Sequence, residues 1–251
     1  MCTETNCRHM GRLADVSRRG WLKRSIALGA GAMGAGLMAG GRKAAAASLS
    51  REQRDAMTPD QVIDMLRAGN QRFRDGTSCA QDFLAQKQTT ATGQFPAAVV
   101  LSCIDSRAPA EIVMDAGIGD IFCARVAGNV STPDLLGSME FACGIAGAKL
   151  LLVMGHTRCG AIAGAIGGAQ LGNLTGLLER ISPAVGKTPY DGERTAANYG
   201  FVDAVAHTNV LDTMEAIRQH SPLLAGLESE GKIKIVGSMY DLGSGQVNFL
   251  G

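Results

Sequence analysis

The chain has 251 residues, 46% of them hydrophobic and 4% aromatic, a length that suits one α/β domain with an extension, or at most two small domains. A formal net charge of +1 offers no electrostatic case for nucleic-acid binding. The charge is uneven, because residues 1–47 hold eight basic and two acidic residues, which leaves a net charge of −5 on the rest. The body of the protein is therefore mildly acidic.

The N-terminal segment has the features of an export signal. Residues 17–23, Ser-Arg-Arg-Gly-Trp-Leu-Lys, are similar to a twin-arginine motif, and residues 25–41 carry no charge. Residues 44–48 then offer a small-x-small cleavage site. We predict that residues 1–47 are a signal that is recognised by the twin-arginine translocation machinery and cleaved, which places the mature protein in the periplasm. The alternative is an uncleaved N-terminus that anchors the protein in a membrane.

Five cysteines remain beyond the predicted cleavage site, an odd number without regular spacing. This pattern does not predict a disulfide framework, even for an exported protein. Twin-arginine export carries folded proteins, so a thiolate metal site could be loaded in the reducing cytosol before transport.

Residues 48–96 are predicted to form an N-terminal helical arm and linker. Thr58 can cap a helix that has Pro59 in its first turn, and Gln61 completes a capping box. The apolar stripe that follows ends near Gly76, and residues 77–94 are predicted to be a polar linker or a short helix.

Residues 97–251 are predicted to form the catalytic domain, in which strands alternate with helices. This alternation predicts an α/β fold with a mostly parallel central β-sheet flanked by helices. The predicted strands are residues 97–102, 121–126, 149–154, 232–239 and 246–250. The predicted helices are residues 109–114, 132–146, a Gly/Ala-rich one after Cys159, 173–185, 193–219 and 222–230.

Two thiols and an imidazole follow two of the predicted strands. Cys103 comes directly after the first strand, and His156 and Cys159 follow the third. The carboxyl ends of parallel strands share one edge, where open α/β sheets place their sites. Taken singly, each residue is more simply explained as part of the core. Taken together, they predict a zinc site with three protein ligands and an open fourth position, as catalytic zinc sites have.

The order of these residues also carries a family resemblance. Cys-x-Asp-Ser-Arg at 103–107, followed 53 positions later by His-x-x-Cys at 156–159, resembles the β-class carbonic anhydrases. The likeness continues through residues 119–122, 125–129, 137–141, 155–160, 236–237 and 240–242, and covers roughly Thr58 to Gly251. The resemblance implies an enzyme with one Zn²⁺ per subunit that reversibly hydrates carbon dioxide to bicarbonate and a proton. It also implies a homodimer or a homotetramer.

The resemblance implies roles for two residues beside the predicted zinc ligands Cys103, His156 and Cys159. Arg107 orients Asp105, and Asp105 orients the attacking water. The simpler alternative is a surface salt bridge. The family also has a closed form in which this Asp itself binds zinc, and the sequence leaves open whether that form is used here.

The resemblance further suggests substrate contacts. Gln94 donates a hydrogen bond to the substrate, Phe122 lines the pocket, and the backbone N–H of Gly160 faces it. The simpler alternatives are a loop amide and an ordinary core aromatic. Phe141 stands where plant-like members have Tyr, which leaves that contact open, and Val100 replaces the Trp of the bicarbonate-inhibited branch.

Two other functions remain open at this point. One is hydrolysis of carbon disulfide or carbonyl sulfide on the same scaffold, which assays with each gas would separate. The other is a non-catalytic zinc-binding protein, which the intact Asp-Ser-Arg sequence argues against.

Overall fold

The structure, a computed structural model, describes residues 48–250, and the predicted export signal at residues 1–47 lies outside the described residues. Its centre is a five-stranded sheet in the order β2-β1-β3-β4-β5. The strands are β1 (Ala98–Ser102), β2 (Ile121–Arg125), β3 (Leu150–His156), β4 (Lys234–Tyr240) and β5 (Val247–Leu250). The first four strands run parallel and β5 is antiparallel to β4, so the predicted fold class is confirmed.

Ten α-helices surround this sheet in the described part of the chain. They are α1 (Arg51–Ala56), α2 (Pro59–Arg74), α3 (Phe83–Thr90), α4 (Ala110–Val113), α5 (Pro133–Glu140), α6 (Gly160–Ile166), α7 (Gly172–Glu179), α8 (Ser182–Lys187), α9 (Tyr199–His220) and α10 (Pro222–Ser229). Among residues 48–250, no helix combines the length and the apolarity that a bilayer crossing requires.

The central strands are buried on both faces. Every residue of β1 and β3 is buried, as expected for parallel strands covered by helices on each side. On one face, Val100 and Leu152 belong to the core that includes Leu66 of α2. On the other face, Leu101 belongs to a core that includes Val210 of α9.

The N-terminal arm packs against the sheet of its own chain. Thr58 and Gln61 form the predicted capping box at the start of α2. The apolar stripe of this helix, which includes Val62 and Leu66, is buried in the core. Helix α1 was not predicted, although Ser50 and Gln53 form a second capping box at its start.

Three predicted helices differ from those in the structure. The helix predicted over 132–146 is α-helical only to Glu140 and continues as a π-helix, Phe141–Ile145. The helix predicted over 173–185 is two helices, α7 and α8.

The helix predicted over 193–219 begins only at Tyr199. The side chain of Asn198 caps it by accepting the N–H groups of Gly200 and Phe201. Upstream, the Asn198 amide donates to the Glu193 carbonyl, and Arg194 donates to the Thr188 and Val185 carbonyls. These side-chain bonds hold the segment in a non-helical conformation.

Candidate metal centre

The ends of β1 and β3 bring the predicted ligands together. Cys103 follows β1, His156 is the last residue of β3, and Cys159 is the N-cap of α6. Strand β3 therefore extends two residues beyond its predicted end and carries His156 itself. All three side chains are buried, and their ligand atoms lie within 4.8 Å of one another. The Sγ atoms of Cys103 and Cys159 are 3.9 Å apart.

The turn between His156 and Cys159 is held by distant residues. Arg158 adopts a left-handed conformation, with φ of 54°, which residues with a β-carbon adopt rarely. Its backbone N–H donates to Asp203 Oδ1 of α9 at 2.6 Å. The Thr157 N–H donates to the Tyr240 carbonyl at 3.0 Å, which joins the turn to the end of β4.

The imidazole of His156 is oriented as a metal ligand. Its Nδ1 lies 2.9 Å from the Thr157 carbonyl, so this nitrogen carries the proton and donates. Its Nε2 is buried and has no hydrogen-bond partner among the described residues. Leaving a buried polar atom unpaired costs about 1–3 kcal/mol, which a bound metal would offset. A nitrogen and two sulfurs are the ligands that zinc prefers, so the residues fit this ion.

The two thiols of the cluster differ in acidity. The Cys159 thiol, and after it the His156 imidazole and the Gly128 N–H, lower the pKa of Cys103 to about 4 despite its burial. The same contact with Cys103 raises the pKa of Cys159. Away from the cluster, burial raises the pKa of Cys143 to about 12. Of the two thiols, Cys103 is therefore the one that ionises more readily.

Burial alone would lower the pKa of His156, but the neighbouring Cys103 thiolate outweighs it and the net shift is upward. The charged imidazole and the thiolate thus stabilise each other.

The five described cysteines, Cys79, Cys103, Cys123, Cys143 and Cys159, are all free, in agreement with the prediction of no disulfide framework.

Asp105 and Arg107 form a fixed pair beside the cluster. The guanidinium donates to both carboxylate oxygens, at 3.0 and 2.7 Å, and the Arg107 N–H donates to Oδ1 at 2.9 Å. The Arg107 guanidinium lowers the pKa of Asp105 to about 2, so the carboxylate is ionised at neutral pH. Asp105 Oδ2 lies 3.9 Å from His156 Nε2, which places the carboxylate at the edge of the predicted metal site.

Arg125 of β2 supports the loop that contains this pair. Its guanidinium donates to the Cys103 carbonyl at 2.9 Å and to the Asp105 carbonyl at 2.6 Å. The backbone positions of both residues are therefore tied to the neighbouring strand.

A small apolar cavity opens beside Cys103 and Asp105. Its volume is about 290 Å³. The other lining residues are Ile104, Ala127, Gly160, Ala161, Gly164, Ala169, Leu174 and Leu178. Such a space suits a small apolar molecule next to a charged carboxylate.

The structure places the three predicted substrate residues in different surroundings. Gly160 lines the cavity as the first residue of α6. Gln94 is exposed in the loop before β1, and Phe122 packs edge-on against Phe141 with ring centroids 6.2 Å apart. Within a single chain, neither Gln94 nor Phe122 lines the cavity beside Cys103.

A parallel sheet that presents two thiols, an imidazole and a carboxylate–guanidinium pair at one edge defines an α/β protein with a metal centre of the catalytic zinc type. The carbonic anhydrase family model matches residues 98–247. The chain belongs to the carbonic anhydrase family, in its β class.

Individual relatives agree with this membership. Carbonic anhydrase 2 of Mycobacterium tuberculosis is 33% identical over 187 residues, which are 72% of this chain and 87% of that protein. The β-carbonic anhydrase CafA of Aspergillus fumigatus is 28% identical, covers 75% of this chain and 90% of its own, and superposes with a TM-score of 0.58.

Two further proteins are similar in a more limited way. A tetrameric β-carbonic anhydrase of Sordaria macrospora shares the fold at 22% identity, with a TM-score of 0.60 over 76% of this chain and 95% of its own. A carbon disulfide hydrolase of Acidithiobacillus thiooxidans is 35% identical over only 71 residues, 26% of this chain and 33% of that protein.

Proposed function

We propose that the protein reversibly hydrates carbon dioxide to bicarbonate and a proton, with one zinc ion per chain. The observation that carries this proposal is the convergence of three buried ligand atoms within 4.8 Å of one another, with an ionised carboxylate and an apolar cavity beside them.

Cys103, His156 and Cys159 would hold the zinc ion, and the bound ion would supply the Lewis acidity that makes water nucleophilic. Asp105 accepts a hydrogen bond from the attacking water and orients its lone pair toward carbon dioxide. Arg107 keeps Asp105 ionised and prevents the carboxylate from rotating, because it donates to both oxygens.

The cavity beside Asp105 holds carbon dioxide, since its lining side chains are apolar apart from those of Cys103 and Asp105. The N–H of Gly160, in the first turn of α6, is the donor available to a substrate oxygen. Hydration releases one proton, which passes to solvent or buffer, and the product bicarbonate leaves through the same opening.

The assembly is proposed to be a homodimer or a homotetramer. Its support is that Gln94 and Phe122 do not reach the cavity of their own chain, so a second copy is the available source of these contacts. The size of the purified protein in solution, measured by light scattering, tests this proposal, and a catalytically active monomer would contradict it.

The mature protein is proposed to be periplasmic after twin-arginine export and cleavage of residues 1–47. Its support is the sequence pattern of that segment. Replacing Arg18 and Arg19 by Lys should retain the chain in the cytosol. N-terminal sequencing of the membrane and periplasmic fractions distinguishes cleavage from an uncleaved anchor.

Hydrolysis of carbon disulfide is a second candidate function. The partial similarity to a carbon disulfide hydrolase and the apolar cavity both favour it. The similarity covers about a quarter of the chain, whereas the similarity to carbonic anhydrases covers most of it.

The deciding experiment combines zinc analysis with stopped-flow assays on the processed chain. We expect one zinc ion per chain and rapid hydration of carbon dioxide that is lost with a chelator and restored with Zn²⁺. Hydration at the uncatalysed rate by fully zinc-loaded protein would establish a non-catalytic zinc protein instead. Release of sulfide from carbon disulfide without carbon dioxide hydration would favour the second candidate.

A further inference from the structure

We propose that helix α9 positions both metal-binding loops through two polar residues, Asp203 and Asn209. The inference rests on the proposed function in that it takes Cys103, His156 and Cys159 as zinc ligands. Neither residue belongs to the motifs at 103–107 and 156–159. Both are positioning residues, because each acts on the metal site through a backbone group.

Asp203 acts on the second loop. Its carboxylate accepts the N–H of Arg158 at 2.6 Å, in the middle of the turn that joins His156 to Cys159. Arg158 is left-handed there, and its N–H is paired through this bond with a residue of another element. The charge-assisted hydrogen bond therefore stabilises the turn conformation in which His156 and Cys159 converge with Cys103.

Asn209 acts on the first loop. It is buried, and its amide donates to the Gly128 carbonyl at 2.8 Å. The N–H of the same glycine donates to the Cys103 sulfur at 3.3 Å. Gly128 has φ of 70°, and an added Cβ there would lie 2.6 Å from Ile181 Cδ1. Asn209 thus fixes a glycine whose N–H supports the Cys103 thiolate.

Helix α9 is seated directly against the strand that carries His156. Gly155 precedes the imidazole, and a Cβ on it would lie only 2.6 Å from Val210 Cγ2 of α9. The helix and the strand end therefore approach as closely as a glycine allows. Because of this close contact, the side chains of Asp203 and Asn209 reach the backbone of the two loops directly from α9.

The alternative is that both residues only stabilise the fold. Variants of α9 separate these two roles when metal binding and stability are measured together. Asp203→Ala removes the acceptor for Arg158, and Asp203→Asn keeps an acceptor oxygen. Asn209→Ala removes the donor to Gly128.

The matched controls are truncations on the same helix at residues whose recorded hydrogen bonds do not involve the backbone of either metal-binding loop. Asp212→Ala removes a carboxylate that pairs with Lys187 at 3.0 Å. Thr213→Ala truncates a polar residue that is buried as Asn209 is. Each control removes part of an α9 side chain and leaves the bonds from Asp203 and Asn209 to the two loops in place.

The first measurement is the rate at which the zinc-loaded protein releases Zn²⁺ to a coloured chelator. Loss of a group that orients a ligand typically weakens metal binding about 10- to 100-fold. We expect Asp203→Ala and Asn209→Ala to release zinc faster by about this factor, and Asp203→Asn to be close to the wild type. The two controls should release zinc within about twofold of the wild-type rate.

The second measurement is the melting temperature with and without zinc, together with the visible spectrum of the Co²⁺-substituted protein. We expect the two variants to lose more of the zinc-dependent stabilisation than the controls lose, and to alter the Co²⁺ bands. Wild-type release rates and spectra in both variants, or equal losses of melting temperature with and without zinc, would overturn the inference. If Asn209→Ala does not fold, the comparison of Asp203→Ala with Asp203→Asn decides, since equal release rates in that pair contradict it.

The wild type provides the separate test of the proposed function. A wild-type chain that binds no zinc or does not hydrate carbon dioxide contradicts that function, whatever the variants do. A wild-type chain that does both, with variants that release zinc at the same rate, contradicts only the role of α9.

Discussion

The two loops that carry the predicted zinc ligands are built in different ways. The loop after β1 is organised locally, because Asp105 and Arg107 pair with each other two residues apart. The loop after β3 is organised from outside, since Arg158 is held in a left-handed conformation by a residue 45 positions away. The Asp105–Arg107 pair in the first loop is therefore self-contained, although Arg125 also ties the Cys103 and Asp105 carbonyls to β2. The left-handed conformation in the second loop is imposed by a tertiary contact.

This difference separates two tasks at the site. The self-contained loop holds the reactive carboxylate and keeps it ionised, so its variants should affect turnover. The imposed loop supplies two of the three ligands, so its variants should affect metal binding. The following predictions test this division from the largest expected effect to the smallest.

The largest effect is expected for Cys159→Ser in the imposed loop. A serine hydroxyl is a poor substitute for a thiolate, so zinc content should fall steeply and hydration should drop about 10³-fold or more, since the water would no longer be activated. Zinc analysis and stopped-flow assays measure both quantities. Cys143→Ser, a buried cysteine away from the cluster, is the control and should keep its zinc. Full activity in Cys159→Ser would exclude this residue as a ligand.

The next effect is expected for Asp105→Asn in the self-contained loop. The amide keeps the size of the carboxylate but loses its charge and one of the two acceptor oxygens that orient the attacking water and bind Arg107, so turnover should fall by about 10²-fold or more. Zinc content should remain at one per chain. Loss of zinc in this variant would show that Asp105 is itself needed to bind the metal and would remove the proposed division of tasks.

A smaller effect, on stability, is expected when glycine and alanine variants are compared at one position in each loop. Arg158→Gly and Arg158→Ala both lose the contact with the Tyr199 ring, which lies 5.2 Å from the guanidinium carbon. They differ only in how easily φ of 54° is adopted, so the glycine variant should be more stable by about 1 kcal/mol.

The matched pair in the other loop is Ser106→Gly and Ser106→Ala. Ser106 is not among the described residues with positive φ, so glycine should there be the less stable choice, by about 0.5–1 kcal/mol. Denaturant unfolding of the zinc-loaded forms measures both differences. The same sign at both positions would contradict the claim that only the second loop depends on a left-handed residue.

Features that depend on neighbouring residues could be predicted from the sequence, and contacts between residues far apart in the chain could not. The five strands were predicted to within about two residues because β-branched and aliphatic runs alternate with helical segments. The cluster of Cys103, His156 and Cys159 followed from the rule that parallel strand ends share an edge. The pairing of Asp105 with Arg107 spans only two positions.

The residues that hold the two loops in place could not be identified from the sequence. The bonds made by Arg125, Asp203 and Asn209 span 22, 45 and 81 positions and join side chains to backbone groups, which no local pattern encodes. Arg125 stands out in the sequence only as the first residue of the family resemblance at residues 125–129. Likewise, the placement of Gln94 and Phe122 away from the cavity depends on how the chain packs and not on their spacing from Cys103.

The smallest effect is expected at the other end of α9, where Arg218 pairs with Glu228 of α10 at 2.7 Å and also donates to the Ile235 carbonyl. The Arg218 guanidinium lowers the pKa of Glu228 below its ordinary value. A carboxyl group with a lowered pKa in the folded state adds stability above its unfolded pKa of about 4.3, and this stability is lost as the pH falls through the folded value. Glu228→Gln should therefore be less stable than the wild type at pH 7, by about 1 kcal/mol or less for a half-exposed pair, and the difference should close below about pH 4.

This difference in stability is measured by denaturant unfolding in the presence of a chelator, so that loss of zinc in acid affects neither protein. Because this end of α9 touches neither loop, the zinc release rate at neutral pH should stay at the wild-type value, and faster release would mean that the whole helix, and not only Asp203 and Asn209, supports the metal site.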